Sequence, residues 1–456
     1  MVLPDRRGWR HLPLAWAAAA VAMLAATAFW LLLSDPVVAR IVRIESATWA
    51  SGQIPPRVGS SLKAQRLRLD SGLLELKFAC GATVIIEGPV DFEVRGPQHG
   101  FLHQGRAVTR LPKGTKGFIL DSPRGKLVDQ GTEFGVNVTA SGDTEVHVLE
   151  GLVEAKPDSR AQSLQLSRNQ AVRLTRQNVE QFPADAGSFI TDLPPPPALA
   201  IGFLHWSFDE GQGNVSINLG HGLGATNALA RLLSFPENQS GPSWISGQFG
   251  SGLYFDGKDD FVECEFPGIP GGEPRTVAFW AKVPRNSQTN EGYGIINWGT
   301  FGRPGMAWQI SVNPEIKDGP LGRLRVGVHG GWVVGSSDLR DDRWHHCAVV
   351  MYGGHRPDAG THILLFVDGD LEPAARKAVQ EIRTITSGAL AHNMWLGRNL
   401  SYQTPNSWFT GGPFFRGCLD EVFVFNAALN QEQLRSLMKH NRLPPQSPLV
   451  VTVYDR

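Results

Sequence analysis

Cysteine is scarce. In a chain of 456 residues, Cys80, Cys264, Cys347 and Cys418 stand far apart and form no Cys-x-x-Cys pair. That argues against a cysteine zinc site or a thioredoxin-like motif. It leaves room for one disulfide in an oxidising compartment; three thiols lie in the C-terminal half, so one is left over and the pairing stays open. An excess of one charge is lacking as well. Lys plus Arg and Asp plus Glu number 43 each, so there is no global basic field to hold nucleic acid. No repeat of fixed period runs along the chain, and a solenoid array is not indicated. Long apolar runs are missing too, with one exception.

That exception is Leu12 to Leu33, an uncharged run preceded by Arg6, Arg7 and Arg10 and closed by Ser34, Asp35 and Pro36. A helix crosses a bilayer core with roughly 20 apolar residues, so this segment is long enough. The basic flank comes first, which places residues 1–11 in the cytoplasm and everything after residue 33 on the far side of the cytoplasmic (inner) membrane. A cleaved signal peptide is the rival reading, with Val37-Val38-Ala39 as a loose cleavage site. Its apolar core would be about 7–15 residues, shorter than this run, and Trp16 and Phe29-Trp30 sit near the two ends as interfacial anchors do. The retained anchor is the reading taken. The Arg6-Arg7 pair lacks a twin-arginine consensus and serves as topology charge. Either way the bulk of the chain is extracytoplasmic or periplasmic.

The rest reads as β structure. Hydrophobic residues make up 42% of the chain, and 51 Gly and 31 Pro separate many short alternating runs. This suits two substantial cores with frequent turns. A linker over residues 184–200 divides them, centred on Pro194 to Pro197, which cannot enter a ladder and favours extended geometry. It is expected to act as a semi-rigid spacer.

The first unit spans residues 42–183. Leu67 to Leu69, Gly72 to Phe78, Ala82 to Glu87 and Val90 to Val94 alternate apolar and polar residues between Gly and Pro, as do Lys126 to Val128, Phe134 to Val138, Glu145 to Leu149 and Leu152 to Glu154. Leu74, Leu76 and Phe78 share one face, and Glu75 and Lys77 the other. The order "LDSGLLELKFACGATVIIEGP", "QGRAV", "DSPRGKLVDQGTEFGVNV", "TEVHVLEGLVEAK" resembles the FecR-type domain of bacterial membrane regulators. The specific part is Gly131-Thr132-Glu133-Phe134-Gly135-Val136 followed by Glu150-Gly151-Leu152-Val153. The resemblance implies envelope signalling from an exterior β domain to a cytoplasmic sigma-factor-binding segment. Residues 1–11 are too few for an anti-sigma domain. The expectation is therefore an assembly or receptor-contact module, with a possible envelope signalling partner.

The second unit spans residues 201–440, before a tail over 441–456. Its pieces, "LHWSFDEGQGN", "GQFGSGLYFDGKDDFVECEFP", "RTVAFWAKVP", "DDRWHHCAVVM", "HILLFVDGD", "MWLGRN" and "FRGCLDEVFVFNAALNQEQL", are alternating strands beside turn signals. Asp368-Gly369 is a hairpin dipeptide, and a short helix is expected over Asn430 to Lys439. Phe279-Trp280 and Trp344 suit the space between two packed sheets. In order and spacing these pieces resemble the LamG-like jellyroll family, related to concanavalin A-like lectins and glucanases. The fold class expected is thus all-β: an N-terminal transmembrane helix, a FecR-type β domain, then a LamG-like jellyroll β-sandwich.

Candidate sites follow from residue type. Glucanases of this fold place carboxylates two residues apart on one strand as acid and nucleophile. Glu263 and Glu265 share a face, yet the pattern Glu-x-Asp-x-x-Glu is absent and a polar strand face explains them equally well. Asp420 and Glu421, being adjacent, are expected on opposite faces, as are His345 and His346, which lack convergent zinc spacing. Of the two histidines, one is expected to be packed and the other solvated. The resemblance to jellyroll lectins implies Ca²⁺ held by loop oxygens, for which Asp209, Asp256, Asp259, Asp260 and Asp420 stand near strand ends. Turn capping accounts for them as well. Trp298, Trp308, Trp332 and Trp408 are the candidate platforms for a sugar ring, with core packing the alternative for each. The reading favoured is a non-enzymatic, membrane-anchored binding protein for a glycan or protein ligand. A surface glycoside hydrolase and a sigma-factor regulator acting through a partner are its rivals.

Overall fold

The computed structural model describes residues 37–444 except 113, 159–161, 194–200, 225–226, 236–240, 288–293, 355 and 402–413. The tail 1–11, the membrane helix 12–33, the Pro194–Pro197 run, Trp408 and residues 445–456 lie outside the described residues. Among those described, no helix is long and apolar enough to cross a membrane.

Thirteen strands between Ala39 and Pro183 pair into one network, antiparallel except where His99–Arg110 runs beside Ile119–Ser122. Several expected breaks turn out to be bulges. Leu67 to Leu69 and Gly72 to Phe78 fuse into the strand Gln65–Phe78, and Ala82 to Glu87 and Val90 to Val94 into Thr83–Gly96. The register slips between Leu69 and Leu73. Gly72 sits at the slip with φ +96°, and a Cβ there would fall 2.4 Å from the Cα of Ala47. The glycine marks a close approach of the strand Ala39–Trp49 rather than a strand end. Leu74, Leu76 and Phe78 face the interior with Phe134, Val136 and Val138, as the alternation predicts. Gly151, at φ +84°, turns the chain between Thr144–Glu150 and Leu152–Pro157.

The second unit is a sandwich of an eight-stranded and a nine-stranded sheet. In the first, Arg416–Phe425 pairs with Phe203–Trp206, Ser251–Asp256 and Arg275–Lys282. Val277, Phe279, Cys347, Val349 and Leu419 from that sheet meet Val262, Cys264, Trp298, Trp308, Ile310 and Val326 from the other in one buried cluster. Asp368 and Gly369, at φ +53° and +81°, form the expected hairpin turn between Ile363–Val367 and Asp370–Leu371. The closing helix, Gln431–His440, starts at a capping box: the Asn430 side chain accepts from the Gln433 amide and the Gln433 side chain from the Asn430 amide.

The four cysteines form no disulfide. Cys264, Cys347 and Cys418 are buried as apolar residues instead.

The expected spacer is not a spacer up to Leu193. Phe189, Ile190 and Leu193 are buried in a third cluster, where Leu73, Ile85 and Val108 of the first unit meet Ala348, Val350, Phe366 and Phe425 of the jellyroll. Tyr352 Oη donates to the Asp192 carbonyl at 2.9 Å, Thr361 Oγ1 to the Phe189 carbonyl at 3.3 Å, and Arg43 Nη1 to the Leu193 carbonyl at 3.1 Å. Lys377 Nζ lies 3.8 Å from Glu87 Oε1 across the same seam, and burial pushes that ammonium's pKa down. The two units are welded through a wedge whose few, irregularly spaced apolar residues carry no periodic signal in the sequence.

Candidate functional site

Alternation along the nine-stranded sheet decides which side chains leave the core. In Ala307–Val312, Trp308 and Ile310 turn inward, so Ala307 and Gln309 turn out; in Arg323–Gly327, Leu324 and Val326 are inside, so Arg325 and Gly327 are outside. Trp332, next to the inward Val333, joins the outer face. These residues line a cavity of about 400 Å³, closed at its sides by Phe301, Asp318, His329 and Ser401.

Its centre is a fixed triad of side chains. Arg325 Nη2 reaches Asp318 Oδ2 at 2.9 Å, and both side chains are largely buried, at 14% and 8% exposed. The Arg325 guanidinium stands 5.8 Å from the Trp332 ring, whose Nε1 donates to the Asp318 carbonyl at 3.0 Å. Gly327 makes room for the arginine, since a Cβ there would fall 2.5 Å from Nη1. Within this tight set, Asp318 Oδ1 and Arg325 Nε have no hydrogen-bond partner although both are buried. A buried unpaired acceptor or donor costs about 1–3 kcal/mol. The cavity wall therefore carries an ion pair beside an indole, a combination that suits a ring bearing hydroxyls. Phe301 and His329 meet edge to face at 5.0 Å on its border.

Of the tryptophans proposed as platforms, only Trp332 among the described residues lies at this cavity. Trp298 and Trp308 are fully buried and stack on each other at 5.8 Å across the ladder. They belong to the core because their strands send them inward with Ile296 and Ile310. Trp408 lies outside the described residues. Sequence reasoning missed Arg325, Asp318 and His329. The signal available was the alternation Arg323-Leu324-Arg325-Val326-Gly327, which puts a cation on the face opposite the apolar residues.

The five aspartates expected around one calcium ion fall in three places. Asp256, Asp259 and Asp260 bring carboxylate oxygens within 4.8 Å of one another. Burial first, then the neighbouring carboxylates, pushes Asp260 up to about 6, and burial raises Asp259 as well. Backbone amides already use these groups, as Asp260 Oδ2 accepts from Asp256 N at 3.0 Å and Asp256 Oδ1 from Lys258 N at 2.8 Å. Asp209 Oδ1 instead accepts from Ser251 N at 3.0 Å. Asp420 Oδ2 accepts from the amides of Gln248 and Phe249 at 2.7 and 3.0 Å, and burial drives its pKa to about 8. Any cation held by this set is thus left with the Asp256, Asp259, Asp260 turn.

Asp420 and Glu421 do not alternate across the sheet. Leu419 and Val422 both point inward, Glu421 has φ +52°, and the register slips between Ala278 and Trp280. This bulge puts both carboxylates on the side away from the core. Glu421 Oε2 lies 2.5 Å from His205 Nε2, and the His205 ring stacks on Phe423 at 3.8 Å.

Glu263 and Glu265 do share an outward face, but each is bound to a neighbour. Glu263 accepts from Asn393 Nδ2 at 3.0 Å and Trp395 Nε1 at 3.3 Å. Arg231 Nη2 lies 2.6 Å from Glu265 Oε1, and that hydrogen bond lowers the Glu265 pKa. A general acid needs the opposite shift. His346 is packed, edge-on to Trp280 at 5.3 Å, and burial pushes it down to about 4. His345 is held rather than solvated, between Asp368 Oδ2 at 2.8 Å and Asp341 Oδ1 at 3.1 Å.

The family model of the concanavalin A-like lectin/glucanases superfamily, laminin G type, matches residues 255–435, so the chain carries a concanavalin A-like domain there. No curated protein matches the sequence. Among solved structures, domain 4 of AbnA, a GH43 extracellular arabinanase from Geobacillus stearothermophilus, in complex with arabinotriose, is 17% identical, with 53% of this chain and 100% of that chain covered and a TM-score of 0.36. A candidate anti-sigma factor from Parabacteroides distasonis is 16% identical over 27% of this chain and 62% of that chain, with a TM-score of 0.24. The botulinum neurotoxin serotype G binding domain is 12% identical over 52% of this chain and 50% of that chain, with a TM-score of 0.32.

Proposed function

We propose that this chain is a non-enzymatic binding protein, anchored by Leu12 to Leu33 and extracytoplasmic from there on, whose jellyroll takes a glycan in the cavity beside Trp332. One observation carries the reading. Asp318 and Arg325 form an ion pair on the cavity wall next to an indole whose orientation the Asp318 carbonyl fixes. A pyranose face stacks on the indole while its hydroxyls give to the carboxylate and take from the guanidinium. Because the Arg325–Asp318 pair exists without ligand, little ordering cost attends binding.

The first unit is assigned to envelope signalling or assembly. The Gly-Thr-x-Phe-x-Val and Glu-Gly-x-Val pieces that suggested this fall on the consecutive strands Glu133–Val138, Thr144–Glu150 and Leu152–Pro157, of which the first two pair. The seam around Phe189 supports a relay, since a change on the jellyroll's eight-stranded sheet meets the first unit through packed side chains. The hydrolase reading loses support from Glu263 and Glu265, whose oxygens serve Asn393, Trp395 and Arg231. The test is binding of the full chain in detergent to a glycan array, with Trp332→Ala and Asp318→Asn beside it. Saturable binding lost in both variants is expected; binding untouched by either removes the cavity from the account.

A further inference from the structure

We propose that the edge of the first unit next to Val37 docks on anionic phospholipid headgroups. The proposal rests on the reading of Leu12 to Leu33 as a retained anchor. A groove of about 450 Å³ runs along that edge between Val37 to Val42, Gly59 and Lys77 to Ala79. Ala39 and Ile41 of the strand Ala39–Trp49 are buried in the core, so the edge is a packed piece of sheet. Val37 and Val42 are nevertheless 46% and 38% exposed, and Val58, beside Gly59, is 61% exposed.

The charges lining this groove have one sign, with Glu75 two residues from Lys77 outside it. Arg40 and Lys77 are opposite each other in the ladder, and both are exposed. Like charges placed directly across a sheet repel. Among the described residues no carboxylate comes within 4 Å of Arg40, Lys77 or the nearby exposed Arg57, and the groove lining contains no acid. An apolar strip bordered by unpaired cations is the composition of an interfacial surface. Anionic headgroups supply the missing counter-charge.

Chain length brings the two together. Ser34, Asp35 and Pro36 are all that separates Leu33 from Val37. The four Cα–Cα steps from Leu33 to Val37 span at most about 14 Å. The headgroup layer of one leaflet is about 5–8 Å thick. The groove is thus tethered within reach of the headgroups in every orientation of the unit, and the cations select the orientation that faces them.

The full chain is reconstituted into phosphatidylcholine vesicles with and without phosphatidylglycerol, and amide hydrogen exchange is followed over residues 37–62. Slower exchange with phosphatidylglycerol, reversed by added salt, is expected. Each cation near an anionic surface multiplies the docked population about five-fold. The variants Arg40→Glu, Arg57→Glu and Lys77→Glu should therefore each reduce protection by at least that factor, with exchange in the jellyroll unchanged as the check on folding. Equal exchange in both lipids, with the protein firmly membrane-bound, overturns the docking surface. Release of the chain from vesicles by alkaline carbonate overturns the anchor itself, and the docking proposal with it.

Discussion

Replacing Phe189 by alanine tests whether the two units form one mechanical piece. Phe189 is 1% exposed, its ring meets His147 edge to face at 5.1 Å, and a Cβ on Gly135 would come within 2.6 Å of it. Its carbonyl takes the hydroxyl of Thr361 in the jellyroll. The ring packs on the first unit inside the buried cluster that the jellyroll completes, and alanine leaves a cavity there. Area lost from burial accounts for about 1.5–3 kcal/mol. With the cavity term, a phenylalanine to alanine change costs about 3–5 kcal/mol. Because the ring is the wedge of the seam, that loss falls on opening of the seam, shifting it by roughly a hundred- to several-thousand-fold at 1.4 kcal/mol per decade. Urea denaturation reads this directly. Of the 13 tryptophans nine fall in the jellyroll and four precede it, at Trp9, Trp16, Trp30 and Trp49, so fluorescence chiefly follows the jellyroll, while amide exchange at Leu73, Ile85 and Val108 follows the first unit. Wild type should unfold with the two signals coincident, and Phe189→Ala should lower the fluorescence midpoint and separate them. A loss under about 1 kcal/mol with coincident transitions would refute the wedge.

Two further outcomes follow from the charges. Hydrogen bonds donated by the His345 ring to Asp368 and Asp341 raise its pKa; the stability they confer is complete below the histidine's unfolded value and fades as pH rises through its folded one. His345→Gln should therefore cost most stability near pH 5 and progressively less above neutrality, checked by melting curves across that range; a cost independent of pH contradicts it. At the Asp256, Asp259, Asp260 turn, burial and crowding raise Asp260 to about 6, so the chain loses stability as pH climbs from the unfolded value near 4 to about 6. In chelator, Asp259→Asn should raise the melting temperature above pH 6, whereas a wild type that melts higher on adding Ca²⁺, with the gain lost in the variant, would assign an ion to that turn.

Much of the architecture was legible because it rests on period-2 alternation. Leu74, Leu76, Phe78, Phe134, Val136 and Val138 reach the core as read, and Asp368-Gly369 makes its turn. The errors come from features that alternation does not encode. Gly72 looked like punctuation and is a bulge forced by Ala47, a contact 25 positions away in sequence. The bulge at Glu421 moves one carboxylate to its neighbour's side, which adjacency cannot foretell. Phe189, Ile190 and Leu193 sat beside a proline run and read as spacer, since their partners are contributed by two distant units. Trp332 was found among four candidates, but Asp318 and Arg325 were not. Their significance is an ion pair beside an indole, and that exists only once the strands have brought them together.

The proposed function stands or falls on sugar binding in the cavity beside Trp332. Titration calorimetry of the full chain with the best glycan from an array, repeated in Trp332→Ala and Asp318→Asn, tests it most directly. One saturable site is expected in wild type, weakened at least ten-fold by either change while the melting temperature stays within a few degrees. Unchanged affinity in both folded variants, or no glycan bound by wild type, would contradict it.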